Sequence, residues 1–295
     1  MKNGVVIINK EAGLSSQAVV NRVKRLFGVD KAGHTGTLDP MATGVLPVLV
    51  GRAVKASEFM LTEDKHYVAT LRLCITTDTE DVTGEVLSIN PHVPAEDEVL
   101  AAVASFVGEY MQTPPMYSAL KIGGKKLYEL ARAGEVVERE ARPVKIYSIT
   151  ASKIDCKNYK LDVHCSKGTY IRTLCADIGK RLGVGGVMAT LLRAEAAGYS
   201  LDDAYTLGEF EEMSEEQREE KIFPVEHIFR GLSKVTLSEF FSKLAHSGLE
   251  IYQKKIGTQY DTGTRVAFFD KDGFFAVGEV REYESGSAIK PIRQF

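Results

Sequence analysis

Apolar residues recur along the first part of the chain with two different periods. Continuous apolar runs, typical of buried strands, lie at residues 4–9, 44–50 and 65–74. Apolar side chains at helical spacing follow Ser15 and Ser16, which are favourable N-caps, and end before Gly28. The pattern predicts a helix between the first two strands and a glycine-rich loop at residues 33–40.

The middle of the chain mixes helical and strand-like stretches. Helical spacing predicts helices at residues 52–61, 95–107, 125–132 and 169–182. Two strands at residues 144–153 and 159–166 look like a hairpin, residues 111–124 look irregular, and the polar residues 78–84 predict a solvated turn. Strands and helices do not alternate regularly, so we predict an α+β fold with a mixed, largely antiparallel sheet.

The last third of the chain predicts a smaller second unit. Residues 224–233 look like a linker, and apolar alternation on both sides of the turn from Asp270 to Gly273 predicts a hairpin within residues 265–282. We therefore expect a main domain at residues 1–230 and a strand-rich domain, a small β-barrel, at residues 231–295.

Composition excludes several classes of protein. Of the 295 residues, 44% are hydrophobic and 26% are charged, which is ordinary for a globular chain. No apolar run approaches the length of a membrane span, so neither export nor a membrane partner is expected. The chain has four cysteines without a Cys-x-x-Cys pair, which favours small buried side chains in a reducing cytoplasm over disulfides or a zinc site.

The formal net charge of −3 argues against nucleic-acid binding at first sight. However, residues 201–220 hold nine acidic residues and one basic residue, so the remainder of the chain is net positive. Such an acidic run predicts a solvated helical face that points away from RNA while a positive cleft lies elsewhere.

The loop at residues 33–40 is the segment most suggestive of chemistry. The three glycines and two prolines of residues 33–48 fix an unusual backbone path, and the loop presents one carboxylate, Asp39. No Gly-Lys-Ser/Thr follows the glycines, which excludes a P-loop. From these residues alone, a phosphate-binding turn or a purely structural loop remains an alternative.

The run Gly-His-Thr-Gly-Thr-Leu-Asp-Pro at residues 33–40, continued by Gly-Val-Leu-Pro at residues 44–47, resembles the signature of the tRNA pseudouridine 55 synthase (TruB) family. The resemblance implies that Asp39 is the catalytic group and that His34 packs where the target nucleotide leaves its stack. For His34, a scaffold or base-displacing role competes with proton transfer.

Further segments resemble the same family in the expected order. Residues 66–69 resemble its tyrosine-bearing strand, which implies that the Tyr67 ring stacks on the uracil and is a candidate to accept a proton late in the reaction. Core filling is the alternative for Tyr67. Residues 114–119 and the residues after them resemble the family's Pro-Pro-x-Tyr-Ser-Ala stretch, which implies that Tyr117 and Lys121 contribute to the active site and RNA binding.

The remaining matches concern the partner of the carboxylate and the uracil pocket. Residues 166–174 resemble the Gly-Thr-Tyr-Ile-Arg motif, which implies that Arg172 pairs with Asp39, with Thr169 and Tyr170 beside it. Leu192 matches a leucine that lines the pocket. Lys10 is a candidate phosphate contact, although an ordinary surface charge is the alternative.

Two positions depart from the family pattern. The proline expected after Lys10 is Glu11, which affects loop rigidity. The second arginine expected after Leu192 is Ala194, which removes one phosphate contact. Neither change touches a catalytic group.

The resemblance implies that the chain isomerises uridine 55 in the T loop of tRNA, flipping the base into a pocket. Nothing is consumed in this reaction, and the sequence offers neither a metal cluster nor a nucleotide fingerprint, so no cofactor and no metal are expected. The expected partner is tRNA, bound at the T stem-loop and, through a PUA-like C-terminal domain, at the acceptor stem, by a monomer.

Two alternatives belong to other functional classes. One is an RNA-binding or tRNA-folding protein whose chemistry is vestigial. The other is a hydrolytic nucleosidase or glycosidase, which commonly needs a second carboxylate that no motif here supplies.

Overall fold

The computed structural model describes residues 2–61, 63–118, 120–135 and 137–295. The strands are β1 Gly4–Lys10, β2 Ala32–His34, β3 Thr43–Val50, β4 Lys65–Leu73, β5 Ile75–Thr77, β6 Val86–Ile89, β7 Gly108–Gln112, β8 Lys121–Ile122, β9 Lys125–Lys126, β10 Arg142–Lys153, β11 Asn158–Cys165, β12 Gly186–Ala196, β13 Tyr199–Ser200, β14 Ser233–Thr236, β15 Ile251–Tyr252, β16 Arg265–Asp270, β17 Gly273–Tyr283 and β18 Gly286–Gln294. The α-helices are α1 Ser16–Phe27, α2 Ser57–Met60, α3 Glu96–Ala104, α4 Leu127–Arg132, α5 Ile171–Arg181, α6 Leu207–Glu212, α7 Glu215–Glu220, α8 Glu239–His246 and α9 Gln253–Ile256, with 3₁₀ turns at Gly51–Ala56, Leu201–Asp203 and Val225–Phe229.

The main sheet has the strand order β1-β3-β12-β4-β11-β10-β7, with β2 added to β3 and β13 added to β12. Its pairs are antiparallel except for β3 with β12, which run parallel where Thr43 faces Leu192 and Gly44 faces Arg193. The predicted mixed, largely antiparallel sheet is confirmed. The single parallel contact matters because it brings the end of the glycine-rich loop against β12.

Helices cover one face of this sheet. Alternate residues of the strands pack against α1, α3 and α5 in the larger core, which includes Val19, Val103 and Leu174. The C-terminal end of α1 meets α6 through an edge-to-face contact of Phe27 with Phe210, whose ring centroids are 5.4 Å apart. Over β1 and β3, a smaller apolar cluster also buries the other face of the sheet.

The C-terminal part has its own five-stranded sheet, in the order β14-β16-β17-β18-β15. It is a curled half-barrel rather than a closed barrel, with β14 and β15 at the two ends of the strand order. The predicted hairpin is confirmed, since Asp270 pairs with Gly273 at its turn. Residues 225–229 are not a loose linker, because Phe229 is buried and packs on Phe274 and Phe295 of the C-terminal sheet.

Several local predictions need correction. The helix predicted at residues 52–61 is a 3₁₀ turn followed by the short α2, and the irregular stretch begins with the end of strand β7. The central strand β12 was not predicted at all. Cys74, Cys165 and Cys175 are buried as expected, but Cys156 is exposed. Most acidic side chains of residues 201–220 are exposed, as predicted.

Among the described residues, no helix combines the length and apolar character that crossing a bilayer requires.

Candidate active site

The glycine-rich loop between β2 and β3 is fixed to the core at its centre. Leu38 is buried, and its backbone N–H donates to Oγ of Ser16 over 2.8 Å while the Ser16 hydroxyl donates to the Leu38 carbonyl over 3.0 Å. Ser16 opens α1, so the start of that helix holds the loop one residue before Asp39. The carboxylate therefore projects from a segment with its backbone bonds satisfied.

Lys10, the last residue of β1, also holds this loop in place. Its side chain is buried, and its ammonium donates to the carbonyls of Ala42 at 2.6 Å, Glu11 at 3.0 Å and Pro40 at 3.1 Å. A group enclosed in this way cannot also meet a phosphate at the surface. The prediction that Lys10 contacts a phosphate is therefore wrong, and its role is structural. Lysine side chains are usually exposed, so the sequence gave no sign that this one is buried.

Burial lowers the pKa of Lys10 to about 8, with the charge of Asp39 opposing and that of Arg193 adding to the effect. The folded-state pKa is thus below that of the unfolded chain, so the penalty of burying the ammonium is fully present below pH 8 and is relieved as the pH rises towards the unfolded value. We expect the stability difference between wild type and Lys10→Met to shift by about 2 kcal/mol in favour of wild type between pH 7 and pH 9.5. Urea unfolding at the two pH values measures it, and a pH-independent difference would contradict the assignment.

Arg193 holds the other side of the loop, a role that sequence reasoning missed. This buried arginine of β12 donates from Nε to the Val45 carbonyl at 2.7 Å and from a terminal nitrogen to the Gly36 carbonyl at 3.3 Å. A charged residue between apolar strand positions was the available signal, because a buried guanidinium needs several acceptors.

Gly44 allows the loop to approach β12 this closely. Its φ is +99°, and a Cβ at this position would lie 2.3 Å from the Arg193 carbonyl oxygen. Both the backbone conformation and the space therefore require glycine.

We expect Gly44→Ala to reduce the free energy of unfolding by about 3 kcal/mol, because strain and a backbone clash add. Gly28→Ala is the matched control, since Gly28 has φ +61° but no atom within 4 Å of a Cβ; it should cost about 1 kcal/mol. Denaturant unfolding measures both changes, and equal losses would show that the contact with β12 is unimportant.

Arg172 and Asp39 form the central pair of the site. Nε of Arg172 lies 2.9 Å from Oδ2 of Asp39, and a terminal nitrogen lies 3.2 Å from Oδ1. The Arg172 side chain is 6% exposed and that of Asp39 is 34% exposed. The pairing is as predicted. A two-point contact aims the carboxylate, and its remaining exposure leaves room for a substrate.

The turn after β5 positions Arg172, contrary to the prediction of a solvated turn. Asp81 is buried, and its Oδ2 lies 3.9 Å from Nε of Arg172. The Asp81 carboxylate accepts hydrogen bonds from Thr79 and Thr83, while the Thr79 carbonyl accepts from Arg172 at 3.1 Å. These contacts depend on a tertiary packing that the local sequence did not reveal.

Of the Pro-Pro-x-Tyr-Ser-Ala stretch, Tyr117 reaches the site through its backbone, because its carbonyl accepts from Arg172 at 2.7 Å. The Tyr117 hydroxyl donates to Asp78 at 3.2 Å. Ala119 and the side chain of Lys121 lie outside the part of the chain that is described.

Thr169 and Tyr170 precede α5 and shape its start. The Thr169 hydroxyl donates to the Ser166 carbonyl at 2.9 Å. The Tyr170 backbone N–H and carbonyl both bond the side-chain amide of the buried Gln112, at 2.8 Å and 3.0 Å. Both residues therefore help to set the position of Arg172, which follows shortly after them in the chain.

Tyr67 lies on β4, next to β12, where it pairs with Arg193. Burial raises the pKa of its hydroxyl, an effect that the positive charge of Arg193 opposes and the negative charge of Asp39 reinforces. The phenol is therefore neutral at physiological pH and sits in the field of both groups. Leu192 is half-buried and lies over Gly44.

His34 stands at the entry to the loop on β2, and its contacts favour a neutral ring. Burial lowers its pKa, and the charge of Arg193 acts in the same direction. Its Nδ1 is buried and has no hydrogen-bond partner among the described residues. A neutral, incompletely bonded imidazole fits a role in packing against a nucleotide better than one as a permanent cation.

Together these residues place the oriented, partly exposed Asp39 carboxylate near the neutral Tyr67. The buried side chains that hold the site in place are those of Lys10, Arg172 and Arg193. Comparison with known proteins agrees with this arrangement. Residues 24–171 match the model of the TruB family pseudouridylate synthase N-terminal domain, and residues 172–230 match that of the tRNA pseudouridylate synthase B C-terminal domain. The chain belongs to the TruB family of pseudouridylate synthases and is an enzyme of that class.

Within this family, similar proteins carry the name tRNA pseudouridine synthase B. One from Alkaliphilus oremlandii is 45% identical over 99% of this chain and 98% of its own, and one from Clostridium tetani is 40% identical over 94% and 95%. Among solved structures, a Cbf5-Nop10-Gar1 complex gives a TM-score of 0.75 at 26% identity, covering 99% of this chain and 85% of the other. A structure of an H/ACA RNP bound to a substrate RNA containing 2′-deoxyuridine gives 0.74 at 25% identity, with coverages of 99% and 84%.

Proposed function

We propose that this chain converts uridine 55 of the tRNA T loop into pseudouridine, with Asp39 as the catalytic carboxylate. The bidentate contact of Arg172 with a carboxylate that is still 34% exposed is the observation that supports this most directly. The names of the full-length relatives supply the class of RNA.

The reaction breaks the bond between N1 of uracil and C1′ of the ribose, forms a bond from C5 to the same C1′, and releases the C5 proton while N1 gains one. Asp39 either adds to the uracil ring or assists in removing a sugar proton. Both routes use the carboxylate as an anion held in one orientation, and the two-point contact with Arg172 supplies that orientation. All heavy atoms of the nucleoside are retained.

The target base must leave the T loop before Asp39 can reach it, at a cost of a few kcal/mol. In our proposal Tyr67 stacks on the extruded uracil and is a candidate acceptor for the C5 proton, Leu192 lines the pocket, and His34 occupies the space that the base leaves. Lys10 acts only through the loop. The residues that border the bound nucleotide are Tyr117, Lys121, Thr169 and Tyr170.

The rest of the tRNA would contact the second domain. We propose the boundary at residue 230, with residues 231–295 as a PUA-like unit on the acceptor stem. The bonds of Lys55 to Gln294 and of Arg293 to Glu58 connect the two parts near the C-terminus and support a fixed relative placement. We further propose that the protein acts as a monomer in the cytoplasm, where its tRNA substrate is made.

An unmodified tRNA transcript tests the proposal directly. After incubation with the pure protein and no added cofactor, pseudouridine is mapped along the transcript, and we expect one modification, at the T-loop uridine. A transcript with cytidine at that position is the matched control and should stay unmodified.

The same assay separates the alternatives. Tight binding without any pseudouridine would indicate an RNA-binding or tRNA-folding protein, and release of free uracil would indicate a nucleoside hydrolase. Modification at another position would refute the T-loop assignment while leaving the chemistry of Asp39 intact.

A further inference from the structure

A cluster of metal-ligating side chains lies on the sheet face opposite to Tyr67. His66 follows Lys65 at the start of β4 and immediately precedes Tyr67, so the two side chains point to opposite faces. The register places His66 opposite His164 of β11 on one side and opposite Glu195 of β12 on the other. Three strands that are distant in sequence thus bring two imidazoles and a carboxylate together.

The nitrogen and oxygen atoms of these side chains converge. One ligand atom from each of the three residues can be chosen so that all lie within 4.8 Å of one another. Nδ1 of His66 and Nε2 of His164 are each 4.0 Å from an oxygen of Glu195. In a tetrahedral zinc site with bonds of about 2.0 Å, ligand atoms are about 3.3 Å apart, so a shift of about 1 Å would complete the geometry.

Asp162 orients one of the imidazoles. Its Oδ1 lies 2.8 Å from Nε2 of His66, at hydrogen-bond distance. When Nε2 carries the proton that is donated to Asp162, the lone pair of Nδ1 faces Glu195. A carboxylate behind a metal-binding histidine is the usual second contact in such sites, since it fixes the tautomer and the ring orientation.

Ion pairing alone accounts for only part of this cluster. It explains the contact of His66 with Asp162, but it leaves Glu195 too far from both imidazoles for a hydrogen bond. The two imidazole centroids are 4.5 Å apart, so both rings lie close to the same carboxylate. A cation bound between them would contact both imidazoles and the carboxylate at once.

We propose that His66, His164 and Glu195 bind a divalent metal ion of the zinc class. The donor set of two imidazoles and one carboxylate suits Zn²⁺ better than Mg²⁺ or Ca²⁺, which prefer oxygen ligands. The Glu195 and His164 side chains are 51% and 45% exposed, which leaves an entry path and a coordination position for water. The sequence predicted no metal site, because cysteine spacing gave no sign of one and local patterns could not bring these three strands together.

A metal at this position would connect β4, β11 and β12 directly behind the active site. The neighbouring residues on β4 and β12 include Tyr67 and Arg193, whose pairing lies next to that of His66 with Glu195. We therefore assign the ion a structural role that stiffens the strands carrying the pocket. This role does not depend on the proposed tRNA substrate.

Cobalt and zinc titrations of the untagged, chelator-treated full-length chain test the site. Co²⁺ should give visible absorption that saturates at one equivalent and is displaced by Zn²⁺. Calorimetry should show Zn²⁺ affinity falling by at least about tenfold in His164→Ala and Glu195→Gln, and by about tenfold in Asp162→Asn. His92→Ala, which removes an exposed histidine away from the cluster, should bind as wild type does.

Thermal unfolding provides an independent readout. Excess Zn²⁺ should raise the Tm of wild type by about 5 °C and that of the Glu195→Gln variant by clearly less. No Co²⁺ or Zn²⁺ binding at tenfold metal excess, or equal binding by wild type and both ligand variants, would overturn the proposal. If His164→Ala does not fold, Glu195→Gln decides alone, because it keeps the size of an exposed side chain.

Discussion

Asp39→Asn is expected to reduce the rate of pseudouridine formation by about 10⁴-fold or more while tRNA affinity stays within about threefold of wild type. The amide keeps the size of the carboxylate and can still accept from Arg172, but it cannot act as an anion at the nucleoside. Single-turnover assays with tritium-labelled uridine measure the rate, and filter binding measures the affinity.

Asp30→Asn serves as the matched control for this substitution. Asp30 is an exposed aspartate just before β2, so its amide should leave the rate near that of wild type. Appreciable pseudouridine formed by the Asp39 variant, at rates close to those of the control, would refute the catalytic assignment.

Arg172→Lys is expected to have the second largest effect. The guanidinium bonds both Asp39 oxygens and the carbonyls of Thr79 and Tyr117, and one ammonium cannot reach all four acceptors in the same geometry. Loss of about 3–4 kcal/mol of interaction in the transition state corresponds to about 10²- to 10³-fold in rate.

The effect of Arg172→Lys should appear in kcat more than in KM, because the pair aims a reacting group rather than binding distant parts of the RNA. Arg25→Lys, at an exposed position in the last turn of α1, is the control. A near-normal single-turnover rate for Arg172→Lys would mean that the positive charge alone is sufficient and that the two-point contact is not needed.

The principal pair of the site follows from the resemblance of two short motifs to those of the family, and much of the fold follows from local hydrophobic patterns. Asp39 and Arg172 lie in short motifs of distinctive residue types and order, and their contact confirms the predicted pairing. Strands β1, β3, β4, β10 and β11, the first helix and the terminal hairpin follow from hydrophobic periods and turn residues, which are local properties, whereas β12 does not. The catalytic roles assigned to these residues stay predictions until the variants are measured.

What could not be predicted depends on contacts between distant segments. Lys10 is enclosed because the loop folds back over the end of β1, and Arg193 is internal because β12 runs parallel to β3 at that point. Asp81 was assigned to solvent because its turn is polar, yet Arg172, from a helix far along the chain, covers it. The burial of a charged side chain can be predicted only when the groups that pair with it are known, and here those groups lie far away in the sequence.

Catalysis by Asp39 on an extruded base is best tested by a crystal structure of the protein with a T stem-loop RNA. The RNA carries 5-fluorouridine at the target position. In this analogue fluorine replaces the hydrogen that the reaction must remove from C5. We predict that the modified base is extruded, with its ring against Tyr67 and its nucleoside in contact with the Asp39 carboxylate, which Arg172 still holds. A target base that remains stacked in the RNA loop, or that binds in a pocket without Asp39, would contradict this mechanism.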